Sequence, residues 1–176
     1  MKSQKKMAVV YKSKYGAAKQ YAEWIAMDLA IPIFEISSIK PSQLKEYEMI
    51  IYGGGVYAGS IDGINLIAKS DYQQLVLFSV GVESTETIDF SESLAKTFKQ
   101  AHPFPIKVFH MRGVLDYKKL NLIHRGIIAM VKKVAEKKPA GERTNMDNIV
   151  LEAYAKPIDF IAKEAIVPLV EFVRSL

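Results

Sequence analysis

Two patterns of apolar residues alternate along the first 111 residues of the chain. Short continuous runs rich in valine and isoleucine are typical of buried strands, whereas apolar residues at three- and four-residue steps are typical of amphipathic helices. The runs predict five strands, over residues 7–11, 33–36, 49–53, 75–80 and 106–111. Helices are predicted between them, over residues 18–29, 64–68 and 91–100. This alternation predicts an α/β fold with a doubly wound, five-stranded parallel sheet of strand order 2-1-3-4-5.

The pattern changes after residue 111, where the sequence predicts a helical insert. A helix can start within residues 116–120, and the apolar residues that follow at helical steps are Leu120, Ile123, Ile127, Met130, Val131 and Val134. Basic residues mostly occupy the other face, and residues 138–141 end this basic amphipathic helix. Thr144 and Asp147 have the spacing of a capping box and predict a new helix start. A last helix is predicted from about residue 157 to residue 174, with a kink at Pro168.

The composition is that of a globular domain. The 176 residues are 49% hydrophobic and 24% charged, which predicts one domain spanning residues 1–176. No apolar run approaches the roughly 18 residues of a membrane span, and the run at residues 7–11 is too short for a signal peptide. The absence of cysteine excludes disulfides, thiolate metal sites and thiol catalysis. We therefore expect a cytoplasmic protein in which any redox chemistry comes from a cofactor.

The net charge of +5 is concentrated in the insert. Residues 112–143 contain nine Lys or Arg and three Asp or Glu, whereas the remainder contains 15 basic and 16 acidic residues. A nucleic-acid-binding protein would have a broader basic surface, so we expect no nucleic acid partner. Two interpretations of the insert remain open. It docks peripherally on an anionic surface, either the cytoplasmic membrane leaflet or an acidic redox protein, or its apolar stripe packs against the sheet and its lysines face solvent.

The first candidate binding loop, residues 12–18, joins strand one to helix one. Unpaired amides at the start of a helix and the positive end of its dipole attract phosphate groups. Ser13 can add a hydroxyl donor, and Gly16 permits the tight turn. The alternative is a plain strand-to-helix turn that binds nothing.

Two further loops are expected at the same edge of the sheet. Residues 53–59 open with three consecutive glycines, which let a flat ligand approach the backbone, and Tyr57 can stack on it. Strands one and three flank the point where the strand order reverses, and such sheets bind ligands there. Residues 79–84 follow strand four and would close the far side of the crevice, although Gly81 can equally be only the end of that strand.

The three histidines, His102, His110 and His124, share no spacing and have no carboxylate cluster near them in the sequence. Each is therefore assigned to the surface or to packing, with His124 on the basic face of the insert helix. No nucleophile–base combination is apparent, so we predict neither a catalytic side chain nor a metal site.

Residues 11–26 resemble the first loop and helix of flavodoxin-domain proteins. Residues 50–59 and 78–82 are similar to the second and third loops of the branch related to menaquinone-dependent protoporphyrinogen oxidase, and residues 111–120 resemble its characteristic insert. The resemblance spans nearly the whole chain and implies a flavodoxin-like fold, FMN and redox chemistry. One departure is Ala18, because family members commonly have threonine there, with a hydroxyl that helps to hold the flavin phosphate.

The resemblance and the loops together assign FMN binding to three segments of the chain. Ser79 and the backbone amides of the third loop are expected at the edge of the isoalloxazine ring. The predicted FMN-binding residues are Ser13, Lys14, Tyr15, Gly16, Ala17, Ala18, Gly55, Val56, Tyr57, Ala58, Gly59, Ser79, Val80, Gly81 and Val82.

The function expected from this resemblance is that of an FMN-dependent oxidoreductase. It would resemble protoporphyrinogen oxidase and pass electrons from a reduced organic substrate to a quinone-type acceptor. An alternative is a flavodoxin-type electron carrier that docks on redox proteins, and a third is an interaction module that has lost the cofactor. The positive net charge and a third loop without an aromatic residue favour the oxidoreductase.

Overall fold

A parallel sheet forms the centre of the protein, in a computed structural model that describes residues 5–86, 88–98 and 105–176. The strands are β1 (Met7–Lys12), β2 (Ile33–Glu35), β3 (Met49–Tyr57), β4 (Ser60–Ile61), β5 (Gln74–Gly81), β6 (Lys107–Arg112), β7 (Val114–Leu115) and β8 (Ile158–Asp159). The main sheet has the order β2-β1-β3-β5-β6 with parallel pairing, and the short β4 pairs antiparallel with β3. The predicted order 2-1-3-4-5 is confirmed, because β5 and β6 are the fourth and fifth predicted strands.

Helices cover both faces of this sheet. The helices on the sheet are α1 (Ala17–Leu29), α2 (Pro41–Leu44), α3 (Ile64–Ala68), α4 (Ser91–Thr97) and α7 (Val167–Ser175). Two more, α5 (Leu122–Lys137) and α6 (Asn145–Ala155), pack on each other in the segment after β6. On one face α1 and α7 bury Ile25 and Leu169 against the strands, and on the other α3 buries Ile67. Alternate residues of each strand supply the two layers, as the two-residue period of a strand requires. His102 lies outside the described residues, and so does Gln100, the predicted end of the helix that corresponds to α4.

The segment after α6 differs from the predicted helix over residues 157–174. Ile158 and Asp159 form β8 instead, which pairs antiparallel with Leu115 and Val114 of β7. A turn of 3₁₀ helix at Lys163–Ile166 follows, and α7 starts only at Val167. Pro168 therefore lies in the first turn of α7, where its missing N–H has no helical partner to lose, and the predicted kink is wrong.

The predicted insert, residues 112–143, is mainly helical, and it packs with α6 and β8 around a small separate core. From here on, the name insert covers residues 112–159. Leu115, Ile149, Val150, Ala153 and Ile158 are buried together between α6 and the β7–β8 pair, and α5 packs on them. The predicted capping box is confirmed, since the Thr144 hydroxyl accepts from the Asp147 N–H and Asp147 accepts from the Thr144 N–H. In the described ranges no helix combines the length and the apolar character needed to cross a membrane.

Asp147 makes the stability of the insert dependent on pH. Its Oδ2 accepts from the Lys138 ammonium at 2.7 Å and from the Thr144 N–H at 2.8 Å, and these bonds lower the pKa of Asp147 from 3.8 to about 2. Because the folded pKa lies below the unfolded one, the stabilisation is complete above about pH 4 and is lost as the pH falls through about 2. We expect the wild type to exceed Asp147→Asn in unfolding free energy at neutral pH, and the difference to vanish near pH 2.

Urea denaturation of both proteins at several pH values measures this difference. A gap between the two unfolding free energies that stays constant down to about pH 2 would contradict the assignment of the lowered pKa to these hydrogen bonds.

Candidate functional site

The three predicted loops converge on one cavity of about 470 Å³ at the carboxyl edge of β1, β3 and β5. Twelve of the fifteen predicted residues line it: Ser13, Lys14, Tyr15, Ala17, Ala18, Gly55, Val56, Tyr57, Ala58, Val80, Gly81 and Val82. Gly16, Gly59 and Ser79 do not line this cavity. The convergence follows from parallel pairing, which brings the carboxyl ends of neighbouring strands to the same edge.

The first loop forms a tight turn that leaves backbone amides free. Gly16 has a φ of +93°, and its N–H donates to the Ser13 Oγ at 3.1 Å. The first helical hydrogen bond is the one from the Gln20 N–H to the Gly16 carbonyl, at 3.0 Å. The amides of residues 17–19 therefore have no acceptor within α1, and they lie at the positive end of its dipole. Gly16 shapes this turn without lining the cavity, and a Cβ there would be strained by the positive φ.

Ala18 leaves the first loop without a second hydroxyl. Its side chain is only 3% exposed and packs in the core layer formed by α1. Ala18 thus borders the cavity and also packs in the core. Phosphate binding at this loop depends on the free amides, Ser13 and Lys14.

The glycines of the second loop belong to strand β3, which runs on to Tyr57. A Cβ on Gly53 would fall within the ring of Phe78, and one on Gly54 would lie 2.6 Å from the Asp62 carbonyl oxygen. Protein atoms therefore occupy the space beside these two glycines, and no ligand can use it. Only Gly55 lies in the cavity wall, where the Tyr57 ring folds back to within 2.9 Å of where a Cβ would be. Gly59, at φ +75°, closes the turn to β4.

The insert contacts both of these loops through His124. The imidazole stacks on the Tyr57 ring, with centroids 4.8 Å apart and planes 16° apart. Its Nδ1 lies 2.6 Å from the Tyr15 hydroxyl, which also accepts from the Asn121 N–H. The prediction that His124 lies on the basic face is wrong, because α5 turns this residue inward to the cavity. Partial burial, reinforced by the nearby Lys14 ammonium, lowers the pKa of His124 and favours its neutral form.

Charged groups also lie near Tyr57. The Lys14 ammonium lies 4.7 Å from the Tyr57 ring centroid, and Asp62 pairs with Lys12 at 2.9 Å. Lys14 is also 4.0 Å from the second oxygen of Asp62. Burial, then the nearby Tyr15 and Asp62, raises the pKa of Tyr57 to about 12, so its hydroxyl stays protonated at physiological pH.

A buried histidine supports the third loop. The Nε2 of His110 lies 3.2 Å from the Glu83 carbonyl, which can only accept, so Nε2 carries the proton. Nδ1 then accepts from the Ser79 hydroxyl at 2.8 Å. Burial lowers the pKa of His110 and keeps the ring neutral. Ser79, which is 0% exposed, thus helps to hold His110 beneath the loop and does not line the cavity.

Arg112 holds the third loop, residues 79–84, in place. Its guanidinium donates to the Val82 carbonyl at 3.0 and 3.2 Å and lies 3.4 Å from the Phe160 ring centroid. The next residue, Gly113, donates its N–H to the Gly81 carbonyl at 2.8 Å. The start of the insert is therefore hydrogen-bonded to the third loop, which borders the cavity.

The remaining wall comes from the insert, and the sequence prediction did not include it. Its cavity-lining residues are Gly113, Val114, Leu115, Leu120, Ile123, His124, Ile127, Ile128 and Met146. One signal was present in the sequence: Ile127 and Ile128 are adjacent, so apolar side chains of the helix point in two directions about 100° apart. Side chains that point in one direction pack the helix against its own core. Those that point in the other direction can line a second surface, such as a cavity wall.

Comparison with known families identifies the domain. The family model of the flavodoxin domain matches residues 8–141, which is most of the chain. The chain belongs to the flavodoxin-domain family. No curated protein matches this flavodoxin-domain chain by sequence. The family model does not separate the protoporphyrinogen-oxidase-like branch, which stays a prediction.

Solved structures of flavodoxins and flavoproteins are similar to part of this chain. A flavodoxin from the domain Archaea is 18% identical, with 60% of this chain and 83% of that chain covered and a TM-score of 0.42. A Lactobacillus acidophilus flavoprotein in complex with FMN is 12% identical, with 62% and 93% covered and a TM-score of 0.44. Flavodoxin 1 of Bacillus cereus is 15% identical, with 60% and 84% covered and a TM-score of 0.40.

Membership in the flavodoxin-domain family supports FMN as the cofactor, and the residues of the cavity fit it. The free amides of α1, Ser13 and Lys14 provide the donors and the positive charge that a phosphate needs. Tyr57 lines the cavity with its ring stacked on His124, and Val80, Gly81 and Val82 line it as a short, mainly apolar segment. The cavity thus combines an anion-binding end with an apolar end, as FMN requires.

Proposed function

We propose that this flavodoxin-domain protein is an FMN-dependent oxidoreductase that takes electrons from a reduced organic substrate and passes them to a quinone-type acceptor. The observation that carries the proposal is the continuation of the cavity beyond the three loops. It extends beneath the insert, where Leu115, Ile128 and Met146 give it apolar walls. A protein that only exchanges electrons through an exposed ring edge has no need of such a compartment, whereas an enzyme for an apolar organic molecule requires one.

The residues of the chain have separate roles in this proposal. The amides of residues 17–19 with Ser13 and Lys14 bind the phosphate, and Tyr57 and residues 80–82 hold the ring. When bound, FMN supplies the electron-accepting centre. The insert walls exclude water and position the substrate beside that centre. His124 lines the cavity, and its lowered pKa favours the neutral imidazole, so it can accept a proton there.

The resemblance of residues 50–59, 78–82 and 111–120 to the protoporphyrinogen-oxidase-related branch supports a flat, apolar donor and a quinone acceptor. The apolar compartment is consistent with both. The apolar walls of the compartment define the class of substrate, and experiment must identify the electron donor.

Titration of the purified protein with FMN tests the first half of the proposal. We expect quenching of flavin fluorescence that saturates at one FMN per chain, because a single cavity combines the phosphate turn with the ring site. Riboflavin should bind more weakly, since it lacks the phosphate that the first loop holds. Failure to saturate at about 50 μM FMN, a free energy of roughly −6 kcal/mol, would instead support the interaction module without a cofactor.

Steady-state turnover of the FMN-loaded protein tests the second half. Protoporphyrinogen is the donor to supply and a soluble menaquinone analogue the acceptor. Met146→Trp fills the compartment beneath the insert, so it should lower turnover about tenfold or more through substrate misplacement while FMN affinity stays near that of the wild type. Met27→Trp, at an exposed position on α1, is the matched control and should leave both unchanged. Tight FMN binding with no turnover, together with fast electron exchange with redox proteins, would favour the carrier.

A further inference from the structure

Helix α5 leaves a row of large apolar side chains in solvent. Ile123, Ile127, Met130 and Val134 follow one another at steps of four, three and four residues, so they form one ridge along the helix. Their exposed fractions are 74%, 49%, 63% and 51%. Leu122, beside the ridge at the start of the helix, is 84% exposed. Apolar surface this continuous marks an interaction site on a folded domain.

The ridge is not needed to hold α5 in place. The opposite side of the helix does this, because Ala135 is fully buried and Ile128 and Val131 pack on the core of the insert. The alternative in which the whole apolar stripe packs against the sheet is therefore wrong for these four residues. Met130 and Val134 are exposed away from the cavity, whereas Ile123 and Ile127 are exposed where the ridge borders it.

Lysines flank the ridge on the same outward face. Lys133 and Lys137 are exposed, and each lies within one turn of Met130 or Val134. The one acidic residue of α5, Glu136, is paired with Lys132 at 2.6 Å. Lys119, just before the helix, is paired with Asp116 at 3.7 Å and adds no net charge to this face. The outward face thus combines an apolar ridge with a positive border.

This combination is the signature of a helix that lies in the plane of a membrane surface. Apolar side chains enter the boundary between headgroups and acyl chains, while lysines contact anionic headgroups. Protein interfaces concentrate their binding energy in tryptophan, tyrosine and arginine, and the ridge contains only aliphatic side chains and methionine. A lipid surface therefore fits this face better than an acidic protein does.

We propose that α5 docks this protein on an anionic lipid bilayer through Ile123, Ile127, Met130 and Val134, with Lys133 and Lys137 on the headgroups. The ridge also borders the cavity, because Ile123 and Ile127 belong to its wall. Docking by this face brings the mouth of the cavity to the lipid. An apolar molecule dissolved in the bilayer then reaches the cavity without passing through water.

Sedimentation with lipid vesicles tests the docking, using the full chain with and without FMN. We expect binding to vesicles of phosphatidylcholine and phosphatidylglycerol, and little to phosphatidylcholine alone. Raising the salt to about 0.5 M should release most of the protein, because the Debye length then falls to a few ångströms. Equal sedimentation with both lipids, or with neither, overturns the proposal whatever the outcome of the FMN titration.

Matched variants locate the docking face. Met130→Ser should weaken binding several-fold, whereas Met27→Ser, which removes a similarly exposed methionine from α1, should not. Replacing Lys133 and Lys137 with Gln should weaken binding roughly tenfold to thirtyfold, and the same change at the exposed Lys45 and Lys69 should have little effect. All of these positions are exposed, so the thermal melts should match that of the wild type. Equal losses from the two methionine variants, or from the two lysine pairs, overturn the assignment to α5.

Discussion

Ser13→Asp is expected to weaken FMN binding about 100- to 1,000-fold. The Ser13 Oγ accepts from the Gly16 N–H at the turn where the free amides of α1 begin, so a carboxylate at this position lies next to the bound phosphate. Two like charges about 4 Å apart repel by roughly 4 kcal/mol at an effective dielectric constant near 20, and each 1.4 kcal/mol is a factor of ten in affinity. Fluorescence titration with FMN measures the change.

Ser13→Asn is the matched control for this variant. Its carboxamide can accept from the Gly16 N–H as the carboxylate does, but it adds no charge, so FMN affinity should stay within about tenfold of the wild type. Without FMN, Ser13→Asp should be as stable as the wild type, since a carboxylate is favourable at a helix N-terminus. Riboflavin separates the causes. An equal loss of riboflavin affinity in Ser13→Asp would mean that the first loop does not hold the phosphate.

Gly53→Ala is expected to lower the free energy of unfolding by roughly 3 kcal/mol. Gly53 lies in the centre of β3, paired on either side with Tyr11 and Phe78, and its added methyl group would fall within the Phe78 ring. Phe78 is 0% exposed, so its ring has no free space into which to move. In a protein of this size the change corresponds to a fall in Tm of about 6–12 °C, measured by thermal or urea denaturation.

Two further variants test the cause of that loss. Gly126→Ala, in the middle of α5 with no atom within 4 Å of the added Cβ, should raise stability by about 0.5–1 kcal/mol because alanine is the better helix former. Phe78→Leu introduced together with Gly53→Ala should recover part of the loss, since it removes the ring that the methyl group meets. A Gly53→Ala protein that melts like the wild type would show that Phe78 can leave its place in the core.

At the glycines of β3, the sequence correctly predicts close approach to the backbone but assigns it to a ligand. The three consecutive glycines predict close approach to the backbone, and close approach is found at Gly53 and Gly54. The approaching groups are the Phe78 ring and the Asp62 carbonyl, however, and the ligand cavity begins only at Gly55. Sequence indicates that space is needed beside a residue, but it does not say which atoms fill it, because those atoms come from other parts of the chain.

His110 and His124 illustrate the same limit for polar side chains. Neither has a partner nearby in sequence, yet His110 bonds to Ser79 across 31 positions and His124 to Tyr15 across 109. Parallel strands and a helix that returns to the edge of the sheet create these contacts. A motif search along the chain therefore finds the three loops and misses the residues that hold them together.

The sequence by itself determined the five main strands, their order, the helices α1, α3 and α4, and the placement of three candidate binding loops at one edge of the sheet; it did not predict the short α2. The sequence could predict the others because burial imposes a period of two on strands and about 3.6 on helices, and these periods are local. Tertiary structure alone decided that residues 158–159 form a strand, that Ser79 bonds to His110 beneath the loop, and that the ridge of α5 faces outward. Local periodicity identifies which side chains are apolar, whereas the surface that each one meets depends on contacts between distant segments of the chain.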